Sequence, residues 1–349
     1  MSATASKPMF PVNAAWLARL AEPALLPDLP IVDPHHHLWD RPGGRYLLDE
    51  LLTDLGSGHR IDATVFVECK SMWRAGGAPE LRPVGETEFV AGVAAMSASG
   101  GYGPAAVCAG IVGHADLRVG GRVGPVLEAH LARGGGRFRG IRHIAAYDAS
   151  PAVVTTSVVP PSGLLADADF RAGFAELAPL GLSFDAWLYQ TQLAELAALA
   201  DAFPATTIVL DHLGGVLGVG PYAGRQDEMF ASWSRDLREL ARRPNVVVKL
   251  GGLGMRVCGF GFADQPEPPT SAQLAVHWAP YVETGIAAFG VDRCMFESNF
   301  PVDKGSCSYG VLWNAFKRLA AGSSDAERTA LFAGTARRVY RLDAAKAPS

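Results

Sequence analysis

Ile31-Val32-Asp33-Pro34-His35-His36-His37-Leu38-Trp39-Asp40 is the stretch that decides how the rest of the chain is read. It begins as a strand buried on both faces, because Leu29-Pro30-Ile31-Val32 is apolar throughout, and it ends in imidazoles. Side chains alternate along a strand, so His35 and His37 point one way and His36 the other. Two neutral imidazoles delivered to one point can hold a divalent cation. The plainer alternatives, a surface turn or a tag remnant, fit poorly with a run that lies inside the chain and follows an apolar strand.

Strand-like and helix-like segments alternate about eight times from this point on. Strands are expected at 29–32, 63–69, 105–112, 138–143, 182–187, 207–210, 245–250 and 294–296. Helices are expected at 86–98, 123–133, 170–179, 193–203, 227–242 and 272–289, with two more at 310–320 and 326–340. Most of the strands are continuous apolar runs, the mark of a parallel sheet buried on both faces. Eight repeats in 349 residues predict an α/β fold, a single-domain (β/α)8 TIM barrel. No GxGxxG opens a helix after the first strand, which weighs against a dinucleotide-binding sheet. The barrel is expected over 29–345, with 1–28 as an extension packed on it and a helix at 12–20 capping its bottom.

Composition narrows the function. Hydrophobic residues make up 49% of the chain and the formal net charge is −4, with no basic run, so neither nucleic acid nor an anionic membrane is an expected partner. The five cysteines are odd in number and scattered, which fits a reducing, cytoplasmic setting without disulfides. Residues 1–10 lack the apolar core of a signal peptide, and no run is long enough to cross a membrane.

The polar residues gather at the C-terminal ends of the strands, where a barrel carries its active site. His35 and His37 end the first strand, Glu68 and Lys70 the second, His114 the third, and Arg142 and His143 the fourth. Asp185 and Gln190 bracket the end of the fifth, His212 ends the sixth, and Asn299 and Asp303 follow the eighth. A lone histidine at a strand end is ordinarily structural; several at the same end point to a site. Trp187 and Tyr189 would wall the pocket or pack the barrel. Lys249, unusual in an apolar run, would bind substrate or pair with a buried acid such as Asp211.

Asp33-Pro34-His35-His36-His37-Leu38-Trp39, Asp211-His212-Leu213-Gly214-Gly215 and Ser298-Asn299-Phe300-Pro301-Val302-Asp303 together resemble the amidohydrolase superfamily, in its pyrone-dicarboxylate lactonase and sugar-lactonase branch. The resemblance runs from about Leu29 to Arg341. It implies a site in which His35, His37 and His212 either hold a metal or bind and activate substrate without one. Two departures stand out. Asn299 occupies the place of the usual strand-eight aspartate, and an amide cannot take a proton from water. The fifth strand lacks the bridging lysine or histidine of two-metal sites. One divalent ion, zinc or manganese, or a metal-free site are therefore the expectations. Asp303, Asp185 or Glu68 would replace the missing base. The resemblance also implies an arginine that holds a substrate carboxylate, with Arg142 ahead of Arg256, although either could instead be an ion-pair partner of a nearby acid.

These readings converge on a hydrolase that opens a small, carboxylated lactone by water attack. The catalytic set is His35, His37, His212, Asn299 and Asp303. Glu68, Lys70, Arg142, His143, Trp187, Tyr189, Gln190 and Arg256 would bind an anionic small molecule. A non-oxidative decarboxylase and an inactive ligand-binding barrel are the alternatives, and a homo-oligomer is left open.

Overall fold

The structure is a computed structural model that describes residues 11–42, 44–156 and 158–342. Residues 1–10 and 343–345, which carry the signal-peptide reading and the expected end of the barrel, lie outside the described residues.

Eight parallel strands follow one another in sequence order around a nearly closed (β/α)8 barrel. They are β1 Ile31–His36, β2 Ile61–Val67, β3 Ala106–Gly113, β4 Phe138–Arg142, β5 Ser183–Ala186, β6 Ile208–Leu210, β7 Val246–Leu250 and β8 Cys294–Phe296. Helices cover the outside, among them Val84–Ala98, Leu193–Ala202, Gln226–Leu240 and Ser271–Phe289. The strands are short, and the apolar runs buried on both faces are their cause. One set of side chains packs under the helices. The other, including Val32, Val65, Val112, Val209, Val247 and Met295, fills the barrel interior with Tyr340.

The barrel closes at its most polar residues. His37 N–H donates to Phe300 O at 2.8 Å, and Asn299 N–H donates to His35 O at 2.9 Å. Asp33, buried between β1 and the segment after β8, accepts from Ser298 N at 3.0 Å and from Tyr309 Oη at 2.9 Å. The seam is thus built from the two quoted motifs themselves.

The ends of the chain are placed differently from expectation. The N-terminal helix is a single turn, Ala14–Leu17, and Trp16 donates to Gln265 O on the loop after β7, at the mouth side. The bottom is capped instead by the C-terminal helical segment Asp325–Val339 and the inserted Tyr340. That segment, expected as one helix, contains a wider π turn at Ala330–Gly334. Residues 18–28 are tied to the barrel by Lys317, whose ammonium donates to Leu25 O and Leu26 O.

Candidate active site

The site is built on the ends of β1, β6 and β8. His35, His37 and His212 are all buried. The His35 ring centroid lies 4.9 Å from that of His37 and 4.5 Å from that of His212. His36 faces away, with Nε2 2.9 Å from Thr64 Oγ1.

Each of the three rings is held at Nδ1. His37 Nδ1 is 2.8 Å from Val67 O, a pure acceptor. His212 Nδ1 is 2.6 Å from Glu297 Oε1, and His35 Nδ1 is 2.8 Å from Glu297 Oε2. Val67 O and Glu297 Oε1 can only accept, so the His37 and His212 protons sit on Nδ1, whereas His35 Nδ1 lies between Glu297 Oε2 and Lys249 Nζ. This carboxylate–imidazole arrangement orients metal-binding and general-base histidines. Burial and then Lys249 lower the pKa of His35, and burial and then Arg142 hold His37 well below its usual value, so both rings stay neutral.

Glu297 is therefore the central carboxylate. Burial opposes its ionisation, yet His212 and His35 outweigh burial and hold its pKa at about 2. Sequence reasoning passed over it, although it directly follows β8. Met295 faces the barrel interior, and a residue two positions on shares that face.

Beneath the imidazoles lies a buried charge network. Lys249 Nζ on β7 is 2.7 Å from Asp185 Oδ2 on β5, 3.0 Å from Asp211 Oδ1 and 3.1 Å from His35 Nδ1. Tyr340 Oη donates to the same Asp185 oxygen at 2.6 Å. Arg142 Nε donates to Glu68 Oε1 at 3.0 Å, and its Nη2 donates to Glu68 O. The guanidinium also lies 3.3 Å from His35 Nε2 and 3.7 Å from Asp211 Oδ2. Arg142 was expected to meet a substrate carboxylate; its anion is Glu68. Asp185, a candidate base in the sequence, is bound to Lys249, and burial raises its pKa to about 6.

Four buried carboxylates, Glu68, Asp185, Asp211 and Glu297, thus face two buried cations, Lys249 and Arg142, among the described residues. Both Asp211 oxygens, Glu68 Oε2 and Glu297 Oε2 lack a hydrogen bond of good geometry. An excess of negative charge on buried side chains, with two of the histidines held neutral, calls for a cation. Donor atoms of His35, Asp211 and His212 lie within 4.8 Å of one another. This donor set fits one divalent ion. His37, expected as a ligand, stands beside that group rather than within it.

Asn299 and Asp303 act as a pair. Asn299 adopts a left-handed backbone, φ 53°, and donates from Nδ2 to Asp303 Oδ1 at 2.8 Å. Asp303 Oδ2 accepts from Gly254 N at 2.9 Å. Burial pushes this carboxyl up to about 7 against the pull of His212 and the two hydrogen bonds. A cavity of about 210 Å³ opens here, lined by Gly254, Met255, Arg256, Val302 and Ser306, with Val154 and Thr155 from the loop after β4.

The remaining candidates separate. Trp187 is buried and stands edge-on to His212, centroids 4.9 Å apart. Tyr189 bonds to Thr155 and Val153 O and holds the loop after β4. Gln190, expected to bind substrate, uses both ends of its amide on the backbone: Nε2 donates to Met229 O at 3.0 Å and Oε1 accepts from Leu217 N at 3.0 Å. Arg256 is exposed at the rim and pairs with Asp264. Lys70 is exposed, and His143 lies off the imidazole cluster, against His114 and Phe170.

The sequence profile of the amidohydrolase family matches residues 32–342. The chain belongs to the amidohydrolase family. It is 37% identical to the uncharacterized protein y4mH of Sinorhizobium fredii, over 90% of this chain and 99% of that protein. It is 33% identical to an L-fucono-1,5-lactonase of Burkholderia multivorans, over 67% of this chain and 72% of that enzyme. A crystal structure of an amidohydrolase from Burkholderia multivorans with bound zinc superposes with a TM-score of 0.67 at 28% identity, covering 89% of this chain and 99% of that one. Among the described residues of this amidohydrolase no helix is long and apolar enough to cross a membrane.

Proposed function

We propose that this amidohydrolase is a lactonase that adds water to the ester carbonyl of a small lactone and releases the ring-opened hydroxy acid. The observation that carries the reading is the pair of imidazoles fixed by one carboxylate, Glu297, over a buried excess of negative charge. The lactonase names of relatives at 33% and 27% identity support it.

His35, His212 and Asp211 would hold a divalent ion, with His37 beside them, and zinc suits such imidazole donors. The ion, when bound, supplies polarisation of the carbonyl and a lowered pKa for water. The protein's own groups do the rest. Asp303 takes the proton from the attacking water, and a carboxyl with a pKa near 7 is matched to that task at neutral pH. Asn299 Nδ2 and Gly254 N–H hold the carboxylate in place. Trp187 packs edge-on against His212 and shields that imidazole from bulk water. The proton passes to the ring oxygen as the acyl–oxygen bond breaks.

A pH-indicator assay on a panel of 1,5- and 1,4-lactones tests the reading, with aromatic acids assayed in parallel for carbon dioxide. Acid release that depends on His212 is the expected result. Carbon dioxide release without lactone opening would replace it by a decarboxylase.

A further inference from the structure

A cavity of about 920 Å³ lies at the end of the barrel opposite the candidate active site and takes no part in the chemistry above. It is lined by Pro30, Ile61 and Ala105, which stand where β1, β2 and β3 begin. Thr329, Ala333 and Gly334 of the C-terminal segment that caps the bottom form another wall. The π turn at Ala330–Gly334 falls on that wall. Such widened turns give up regular helical bonding and are frequent at functional sites. Leu52, Leu55 and Pro104 add further apolar surface.

The charges on the cavity do not balance. Arg60, Asp62 and Arg337 all line it. Asp62 Oδ1 accepts from Arg60 Nε at 3.0 Å, and its Oδ2 accepts from Arg337 Nη2 at 2.8 Å. Two guanidinium groups share one carboxylate, so one positive charge is left over. Each guanidinium has five N–H donors and uses one of them on Asp62. The Arg60 side chain is 58% exposed and that of Arg337 24%, so both can be reached. His59, also on the wall, adds no charge: its Nδ1 faces the Lys317 ammonium at 2.8 Å, and its Nε2 lies 3.0 Å from Gly310 O. Burial and then Lys317 lower its pKa to about 4. The surroundings are basic too. Arg137, Arg293, Arg338 and Arg341 stand at the same end of the barrel, and their hydrogen bonds run to carbonyl oxygens rather than to carboxylates. The chain as a whole carries a formal charge of −4, so this positive field is local to the bottom face.

These features together select a ligand. A cation would be repelled by the bottom face. A bare inorganic anion would leave the walls of Leu52, Leu55, Pro104 and Ala333 against water. A wholly apolar molecule would leave the guanidinium donors unmet. A carboxylate matches the planar guanidinium fork, and an apolar body behind it matches the walls. We infer that this cavity is a second binding site, for a small amphiphile with one carboxylate head and an apolar body. The head sits on Arg60 and Arg337, and the body lies against Leu52, Leu55, Pro104 and Ala333. The inference is independent of the lactonase reading, since none of these residues belongs to the site at the other end of the barrel.

Isothermal titration of the full chain with octanoate and with octylammonium tests it, because the two probes share an apolar body and differ in the sign of the head. Wild type should bind octanoate about tenfold tighter than octylammonium or more. Arg337→Gln and Arg60→Gln should each weaken octanoate by about three- to tenfold, the loss expected for a charge-assisted bond at a partly exposed site, and leave octylammonium no weaker. Arg60 is the more exposed of the two, so Arg60→Gln serves if Arg337→Gln does not fold. His212→Asn, at the other end of the barrel, should bind octanoate as wild type does. Equal binding of the two probes, no binding of octanoate by wild type, or an octanoate affinity unchanged in both arginine variants would overturn the site. Loss of octanoate binding in His212→Asn would place the probe at the candidate active site and overturn it as well.

Discussion

Glu297 touches two imidazoles with its two oxygens, and no other carboxylate among the described residues does so. Replacing it with Gln keeps the shape and removes the charge that orients His35 and His212. Such supporting partners are worth about 10–100-fold in metal affinity or activity. Glu297→Gln should lower both zinc affinity and kcat/KM by that order; wild-type values for both would show that the imidazoles orient themselves. Asp303 makes a pH prediction. Its folded pKa is raised to about 7 from 3.8, so the proton is retained across the mildly acidic range. The carboxylate forms only as pH rises through 7, so with Asp303 as the proposed base, kcat/KM should climb there and level off above. In Asp303→Asn that limb should vanish along with most of the activity. The stability linkage has the opposite sense: a raised carboxyl pKa stabilises the fold below about pH 4, and this contribution is lost as pH rises through 7. Histidines at strand ends were legible in the sequence because residue type and alternation suffice. Glu297 was not, because the neighbouring Ser298-Asn299 motif drew the reading one step past it. The pairing of Arg142 with Glu68 was legible as one option, but only spatial contact chooses between an internal and a substrate anion.

At the scale of elements, the loop after β7 is shaped by what it must pass. A Cβ on Gly251 would lie 2.4 Å from Glu297 Cγ, and one on Gly252, whose φ is +69°, would lie 2.4 Å from His212 Cβ. These two glycines let the β7 end run directly against the site. His212 itself sits at φ 56°, a left-handed conformation that non-glycine residues hold at functional sites when their surroundings impose it. Gly252→Ala should displace His212, lower stability by about 1–3 kcal/mol and remove most activity. Thermal melts and lactone turnover check it; a normal melting temperature with full turnover would show that the loop yields freely. Strand and helix positions were legible to within a few residues from apolar runs and amphipathic spacing. The ends were not. A one-turn helix at Ala14–Leu17 carries too little pattern to reveal its packing partner, and the role of Tyr340 as a plug depends on the closed barrel around it.

At the scale of the molecule, the barrel interior is divided into an apolar lower part and a charged upper part. Lys249 stands at the boundary, with Asp185 and Asp211 as partners and Tyr340 below. Removing one partner of such a network leaves buried charge uncompensated, which costs about 3–5 kcal/mol. Lys249→Met should destabilise the protein by that order in urea unfolding at neutral pH. Asp185, already raised to about 6, should then take up a proton more readily, so the deficit should shrink as pH falls towards 5. A deficit that does not change with pH would mean that Asp185 is not the group left bare. The eightfold alternation made the barrel legible from sequence. The excess of carboxylates over cations was not, since it needs the burial of each group.

The account turns on one cation completing a hydrolytic site made by His35, His212, Asp211 and Glu297. The direct measurement is acid release from a 1,5-lactone as metal-stripped protein is titrated with zinc. The account predicts a rate that rises with zinc and saturates at about one ion per chain, with no such rise in His212→Asn. A rate no greater than spontaneous opening at every zinc loading, or full activity in the stripped protein, would contradict it.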